Sequence, residues 1–302
     1  MHRRSELMGR FGTVITAMAT PFAPDGSLDA QAAGDLARWL VAHGNDALVV
    51  AGTTGESAVL TDPERVELFR AVRAAVDVPL IAGSTTNDTA HSVEMTAAAA
   101  DAGMDAILAV VPYYNKPTQA GLDLHFRAVA AASSLPVMLY DVPGRTGRPL
   151  ATDTIVRLAR DVPTIVALKD AGGDPSRVAG LLAEAPEGFE VYSGDEPLSL
   201  AFAAYGAVGV VGVATHWTGT QQRAMFDAFA QGDVARARQI NTGLLPSYRY
   251  MNSDTCVFSQ AVKVAMGVLG VPVGECRLPL GPAPEGTAGA ASAILSDLGY
   301  PV

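Results

Sequence analysis

Eight short apolar runs, separated by longer amphipathic stretches, constrain this 302-residue chain more than any other feature. They are VITAMATPF from Val14, ALVVAG from Ala47, PLIAGS from Pro79, AILAVVPYY from Ala106, PVMLYDVP from Pro136, TIVALKDA from Thr164, EVYSGDE from Glu190 and AVGVVGVAT from Ala207. Each is short and rich in Val, Ile and Leu, as parallel strands buried on both faces must be. Successive starts lie 33, 32, 27, 30, 28, 26 and 17 residues apart. Those intervals hold a strand and its crossover helix.

The intervening stretches carry helix signals. Asp29 opens one that ends at Gly44, and Asp88 opens one that ends at Gly103. Asp62 reads as an N-cap with Pro63 at the first helical position, and Thr118, Thr152 and Asp174 open later segments. The predicted fold class is therefore α/β: a (β/α)₈ TIM barrel over residues 11–231. An open doubly wound sheet is the weaker reading, because no GxGxxG follows the first run. Helices are expected over 219–231, 233–250, 254–270 and 285–299. The first closes the barrel. The rest form a C-terminal helical extension, 232–302, packed on the barrel or on a neighbouring subunit.

Composition excludes several functions. The chain has 21 Lys and Arg against 31 Asp and Glu, a net charge of −10, which repels phosphate backbones and makes nucleic acid an unexpected partner. No apolar run approaches the ~20 residues of a membrane span. Early basic charge without an apolar stretch behind it is not a signal peptide. Residues 1–10 read as a loose leader, Met8 as a candidate alternative start, and a cytoplasmic location is expected. Two cysteines, Cys256 and Cys276, make no disulfide framework and no ligand spacing. The five histidines are scattered, so no metal site is expected.

In such a barrel the chemistry sits at the C-terminal ends of the strands. Lys169 ends the sixth run. Burial there favours the neutral amine that Schiff-base formation needs, although position alone is equally consistent with a lysine that snorkels or pairs with Asp170. Tyr140 ends the fifth run, and the following loop carries Arg145. They suit a proton relay and a carboxylate fork, or a packing tyrosine and a solvated arginine. Gly52-Thr53-Thr54-Gly55-Glu56-Ser57 follows the second run and reads as an anion cradle or as a tight capped turn. Pro112-Tyr113-Tyr114-Asn115 follows the fourth, where one tyrosine can pack and the other reach a site.

Together, GTTGES, PYYNKP, YDVPGRTG and LKD, in this order after runs two, four, five and six, resemble the dihydrodipicolinate synthase/N-acetylneuraminate lyase family over about residues 11–270. The resemblance implies class I aldolase-type chemistry without PLP, metal or other cofactor. Lys169 would form an imine with pyruvate, Tyr140 would shuttle protons, and Thr53 and Thr54 would hold the pyruvate carboxylate. The synthase branch is the nearer match. Its relay would correspond to Thr53, Tyr140 and Tyr114, and its arginine for the carboxylate of aspartate 4-semialdehyde to Arg145. Gly194 and Val211 match further pyruvate-pocket positions. In that branch Tyr114 would serve a neighbouring subunit, which implies a homo-oligomer, usually a tetramer built as a dimer of dimers.

The chain departs from the pattern of lysine-inhibited members. Asp62, Arg65 and His91 stand at those positions, so weak or absent lysine inhibition is expected. Two rival readings remain. A sibling lyase for a sialic acid, a 2-keto-3-deoxy sugar acid or a hydroxy-oxoglutarate would share Lys169 and Tyr140 but usually lack Arg145. A non-catalytic keto-acid-binding barrel would be expected to have lost Lys169 or Tyr140, and this chain keeps both.

Overall fold

The structure is a computed structural model and describes residues 9–302. Met8, the candidate alternative start, lies outside the described residues. The strands are β1 (Val14–Ala17), β2 (Ala47–Val50), β3 (Leu80–Ala82), β4 (Ala106–Val110), β5 (Val137–Asp141), β6 (Ile165–Asp170), β7 (Glu190–Ser193) and β8 (Gly209–Gly212). All pairings between them are parallel, each strand bonds the next, and β8 returns to β1 to close the barrel. The predicted eight βα units are thus present in sequence order.

Outside the strands run α1 (Ala30–Ala42), α2 (Asp62–Ala75), α3 (Thr89–Asp101), α4 (Gln119–Ala131), a single turn α5 (Pro143–Thr146), α6 (Thr152–Asp161), α7 (Arg177–Glu184), a short α8 (Ser199–Ala204) and α9 (Thr215–Ala230). Their starts follow local chemistry. Asp29 accepts the N–H of Ala32 at 2.9 Å, as an N-cap should. At the other end of α1, Gly44 has φ +93°, the left-handed conformation that ends a helix with little strain for glycine alone. Three expected starts are corrected. Thr61, not Asp62, caps α2, in a reciprocal box with Glu64. Ala151 occupies the cap position of α6, and Thr152 is its first residue. Asp174 instead accepts the N–H of Ser176 at 3.0 Å in a turn ahead of α7.

Two apolar layers result. Ile15, Val49, Ile81, Leu108, Met138, Ala167, Tyr192 and Val211 fill the barrel interior. A larger cluster, including Leu36, Leu68, Phe69, Phe126 and Phe202, cements strands to helices. The barrel is therefore a packed plug, open only at its strand ends. The end of the expected loose leader is tied down, since the Arg10 N–H donates to Glu190 Oε1 at 2.7 Å.

Beyond α9, the chain forms α10 (Val234–Met251), α11 (Phe258–Val268) and α12 (Thr287–Asp297). They pack on the barrel of the same chain. Trp217 Nε1 donates to Ser247 Oγ at 3.1 Å, Gln222 Nε2 to the Tyr248 hydroxyl at 2.9 Å, and the Tyr300 hydroxyl to Trp217 O at 2.8 Å. Among the described residues no helix is long and apolar enough to cross a membrane.

Candidate active site

A cavity of about 530 Å³ opens at the C-terminal ends of the strands. Thr53 and Thr54 line it from the loop after β2, and Tyr140 and Arg145 from β5 and α5. Lys169 comes from β6, and Gly194 and Glu196 from the loop after β7. Six of the eight residues named from the sequence therefore converge on one space. A larger concavity of about 1030 Å³ lies between α1 and the 270–277 segment, and none of these strand-end residues lines it.

Lys169 and Tyr140 are directly paired in the β5–β6 register. Neighbouring strands in register point the same way, so both side chains enter the cavity together. The Lys169 Nζ stands 4.3 Å from the centre of the Tyr140 ring. Only 5% of Lys169 and 6% of Tyr140 is exposed. Burial brings the Lys169 amine down to about 8, with the Glu196 carboxylate opposing and Arg145 reinforcing. The same burial pushes the Tyr140 phenol up to about 12, against the pull of Arg145 and of its hydrogen bond with Thr53. At neutral pH the site thus presents a partly neutral amine beside a protonated phenol.

Space beside the amine depends on Gly194. A Cβ there would stand 2.9 Å from Ala171 Cβ and 3.1 Å from Lys169 Cγ, so a side chain would crowd the lysine stem and force its neighbours to shift. Arg145 sits at the mouth with its guanidinium carbon 4.4 Å above the Phe258 ring. That stacking orients the cation and leaves its planar donors free for a carboxylate.

Two expected residues stand elsewhere. Val211 is buried inside the barrel, and Val213 forms the cavity wall at the β8 end instead. The two residues share the inward face, so the difference is depth: Val211 lies one layer below, inside the packed interior, and Val213 reaches the open end. Tyr114 does not line this cavity; it is 89% exposed, in a left-handed backbone with φ +73°.

Sequence reasoning missed Glu196. It is 3% exposed, and its carboxylate accepts the backbone N–H groups of Val213 at 2.8 Å, Ala214 at 3.0 Å and Thr215 at 3.0 Å. Ala214 and Thr215 are the N-cap and first residue of α9, so a carboxylate from another element caps that helix. Burial still pushes Glu196 up to about 7, opposed by those donors and by Lys169. The strand-end rule that found Lys169 would have found Glu196 too, just past Gly194 in YSGDE. No such signal exists for Met251, Asn252 and Phe258, which the C-terminal helices bring to the cavity rim.

Of Asp62, Arg65 and His91, two engage one another and the third bonds the backbone. His91 Nε2 lies 2.9 Å from Asp62 Oδ1, and Arg65, 4% exposed, donates to Ser57 O at 2.6 Å. Among the described residues no group of three His, Cys, Asp or Glu is placed to hold a metal ion.

The geometry agrees with comparisons across known proteins. The family model described as "Dihydrodipicolinate synthetase family" matches residues 10–298. A 4-hydroxy-tetrahydrodipicolinate synthase of Symbiobacterium thermophilum is 46% identical over 294 residues, 97% of this chain and 99% of that one. The enzyme of the same name from Bacillus subtilis is 44% identical over 95% of this chain and 99% of its own. Among solved structures, a dihydrodipicolinate synthase of Bacillus anthracis superposes with a TM-score of 0.90 at 41% identity, covering 96% of this chain and 99% of that one. The enzyme of Cyanidioschyzon merolae, solved with lysine bound, gives 0.93 at 40% identity over 97% and 99%. A closed barrel, a buried lysine and tyrosine in register, and matches spanning nearly the full length lead to one conclusion: the chain belongs to the dihydrodipicolinate synthetase family.

Proposed function

We propose that this chain condenses pyruvate with L-aspartate 4-semialdehyde, through a Schiff base on Lys169, to give 4-hydroxy-tetrahydrodipicolinate for lysine and diaminopimelate synthesis. The observation that carries the reading is the buried pair itself: the Lys169 amine 4.3 Å from the Tyr140 ring in a cavity with Arg145 at its mouth. Relatives at 44–48% identity bear the synthase name, which favours this reaction over that of a sibling lyase.

The neutral Lys169 amine adds to C2 of pyruvate while the carboxylate rests on Thr53 and Thr54. Tyr140 donates its proton to the carbinolamine oxygen, and water leaves to give the protonated imine. The imine nitrogen then serves as electron sink, so a methyl proton passes to the Tyr140 phenolate and the enamine forms. Thr53 links the Tyr140 hydroxyl to the next proton donor. The enamine carbon attacks the aldehyde of the second substrate, whose carboxylate is held by Arg145. The amino group of that substrate adds to C2, closes the ring and expels Lys169 as the free amine. Gly194 leaves room for these tetrahedral centres, and Val211 supports the cavity from below.

Tyr114 completes the relay from a second copy of the chain, in a homotetramer built as a dimer of dimers. Its support is an almost fully exposed tyrosine held in a backbone conformation that costs free energy. The enzyme works in the cytoplasm, with weak or absent inhibition by lysine, because Asp62 and His91 satisfy one another. Sub-millimolar lysine inhibition would contradict that point.

The decisive experiment mixes the protein with both substrates and follows cyclic product, with Lys169→Ala as control. Product that vanishes in the variant supports the reading. If no product forms, borohydride is added to protein and pyruvate and the protein is weighed. An adduct on Lys169 would move the assignment to a sibling lyase, and no adduct would end it.

A further inference from the structure

One buried ion pair has no part in the chemistry above. Glu56, the fifth residue of GTTGES, places Oε1 2.7 Å from Lys263 Nζ, with the two side chains 2% and 3% exposed. The other carboxylate oxygen, Oε2, accepts the Arg277 N–H at 2.9 Å. Lys263 Nζ also donates to Glu275 O at 2.9 Å and lies 4.1 Å above the Phe22 ring. The carboxylate of a catalytic-face loop is thus gripped entirely by the C-terminal region.

Glu56 is well placed to transmit that grip. Its backbone is left-handed, φ +55°, a conformation an L-residue adopts only when its surroundings hold it there. Its N–H donates back to Thr53 O at 3.1 Å, closing a turn around Thr54. The neighbouring Gly55 O accepts Thr20 Oγ1 at 2.6 Å, a second pin on the same turn. Lys263 lies on α11, the helix whose first residue, Phe258, stacks under Arg145. One helix therefore touches the supports of both carboxylate-binding groups. Two charges taken out of water add little net stability, but each penalises any movement that would leave the other buried and uncompensated.

We propose that the Lys263–Glu56 pair is a latch by which α11 holds Thr53 and Thr54 in place for the substrate carboxylate, so that Lys263 and Glu56 are positioning residues for pyruvate. The proposal rests on reading Thr53 and Thr54 as the carboxylate cradle. It makes the C-terminal helices part of the site's affinity, although neither latch residue lines the cavity.

Lys263→Met alone would leave the Glu56 carboxylate buried without its cation, and the chain could unfold for that reason. The double variant Lys263→Met/Glu56→Gln removes both charges and keeps an acceptor for the Arg277 N–H. In the full-length protein one measures KM for pyruvate, kcat, the pyruvate concentration that half-saturates borohydride trapping on Lys169, and the thermal midpoint. The latch requires a folded double variant whose KM and half-saturation rise about tenfold or more while kcat falls less than about threefold. A folded double variant with wild-type half-saturation overturns it. Thr54→Val separates the two layers of the argument. If Thr54→Val raises half-saturation and the double variant does not, the latch alone fails. If neither raises it, the cradle reading fails as well.

Discussion

Replacing Glu196 by Gln should move the pH dependence of pyruvate capture downward. Burial holds the Lys169 amine at about 8, against 10.5 for an ordinary lysine. At pH 7 about one amine in eleven is then neutral, against roughly one in three thousand in water, a gain of about 300-fold in nucleophile. Initial capture at fixed, subsaturating pyruvate should therefore rise about tenfold from pH 6 to pH 7 and level off above pH 8. Glu196 opposes the depression, because a carboxylate near the ammonium favours the charged form. Removing its charge leaves burial and Arg145 unopposed, so the inflection must fall below that of the parent.

The substitution has a structural cost. The Glu196 oxygens accept three backbone N–H groups at the start of α9. A glutamine offers one carbonyl and turns an NH₂ toward a donor, leaving a buried group unpaired at about 1–3 kcal/mol. The thermal midpoint should drop while the capture profile shifts. The assay is borohydride trapping of the Lys169 adduct by intact mass, sampled in time between pH 6 and pH 9. An inflection near 10 in the parent would refute the buried-amine argument. An upward shift in Glu196→Gln would refute the assigned sign of the carboxylate.

Other outcomes follow from the same geometry. Tyr140→Phe keeps the ring and loses the proton donor, so kcat should fall by about 10²–10⁴ with little change in half-saturation by pyruvate in the trapping assay. Arg145→Met should raise KM for aspartate 4-semialdehyde and leave the pyruvate adduct intact; loss of the adduct would move Arg145 to the first substrate. Cys256 and Cys276 are 7% and 8% exposed, and burial pushes the Cys276 thiol up to about 12. Both should resist an aromatic disulfide reagent in the native protein and react once it is denatured, and rapid native labelling would contradict their packing.

Much of the architecture was legible in the chain because a parallel barrel repeats one local instruction. Each strand reads as a short apolar run, and several helices announce themselves by a capping side chain, as Asp29, Asp88 and Thr118 do, or by a terminal glycine, as Gly44 and Gly103 do. The errors fall where cap residues compete. Thr61 and Asp62 are both good N-caps, and the reach of Glu64 back to Thr61 chose between them. α9 begins at Thr215, ahead of the expected 219, because Glu196 satisfies its first N–H groups from another strand end. No local pattern encodes that distant carboxylate.

The sequence by itself determined the repeat, the strand ends and the reactive residues placed on them, since those depend on period and order along the chain. Only the tertiary structure decided which of them meet. Closure of β8 on β1 brought Thr53, Tyr140, Lys169 and Gly194 into one cavity, and depth along the same inward face put Val211 in the core and Val213 at the wall. It also decided how α11 returns across the barrel mouth to set Phe258 under Arg145 and Lys263 against Glu56. The physical reason is range. Periodicity and capping act over a few residues, whereas desolvation of an amine and pairing of buried charges depend on everything packed around them.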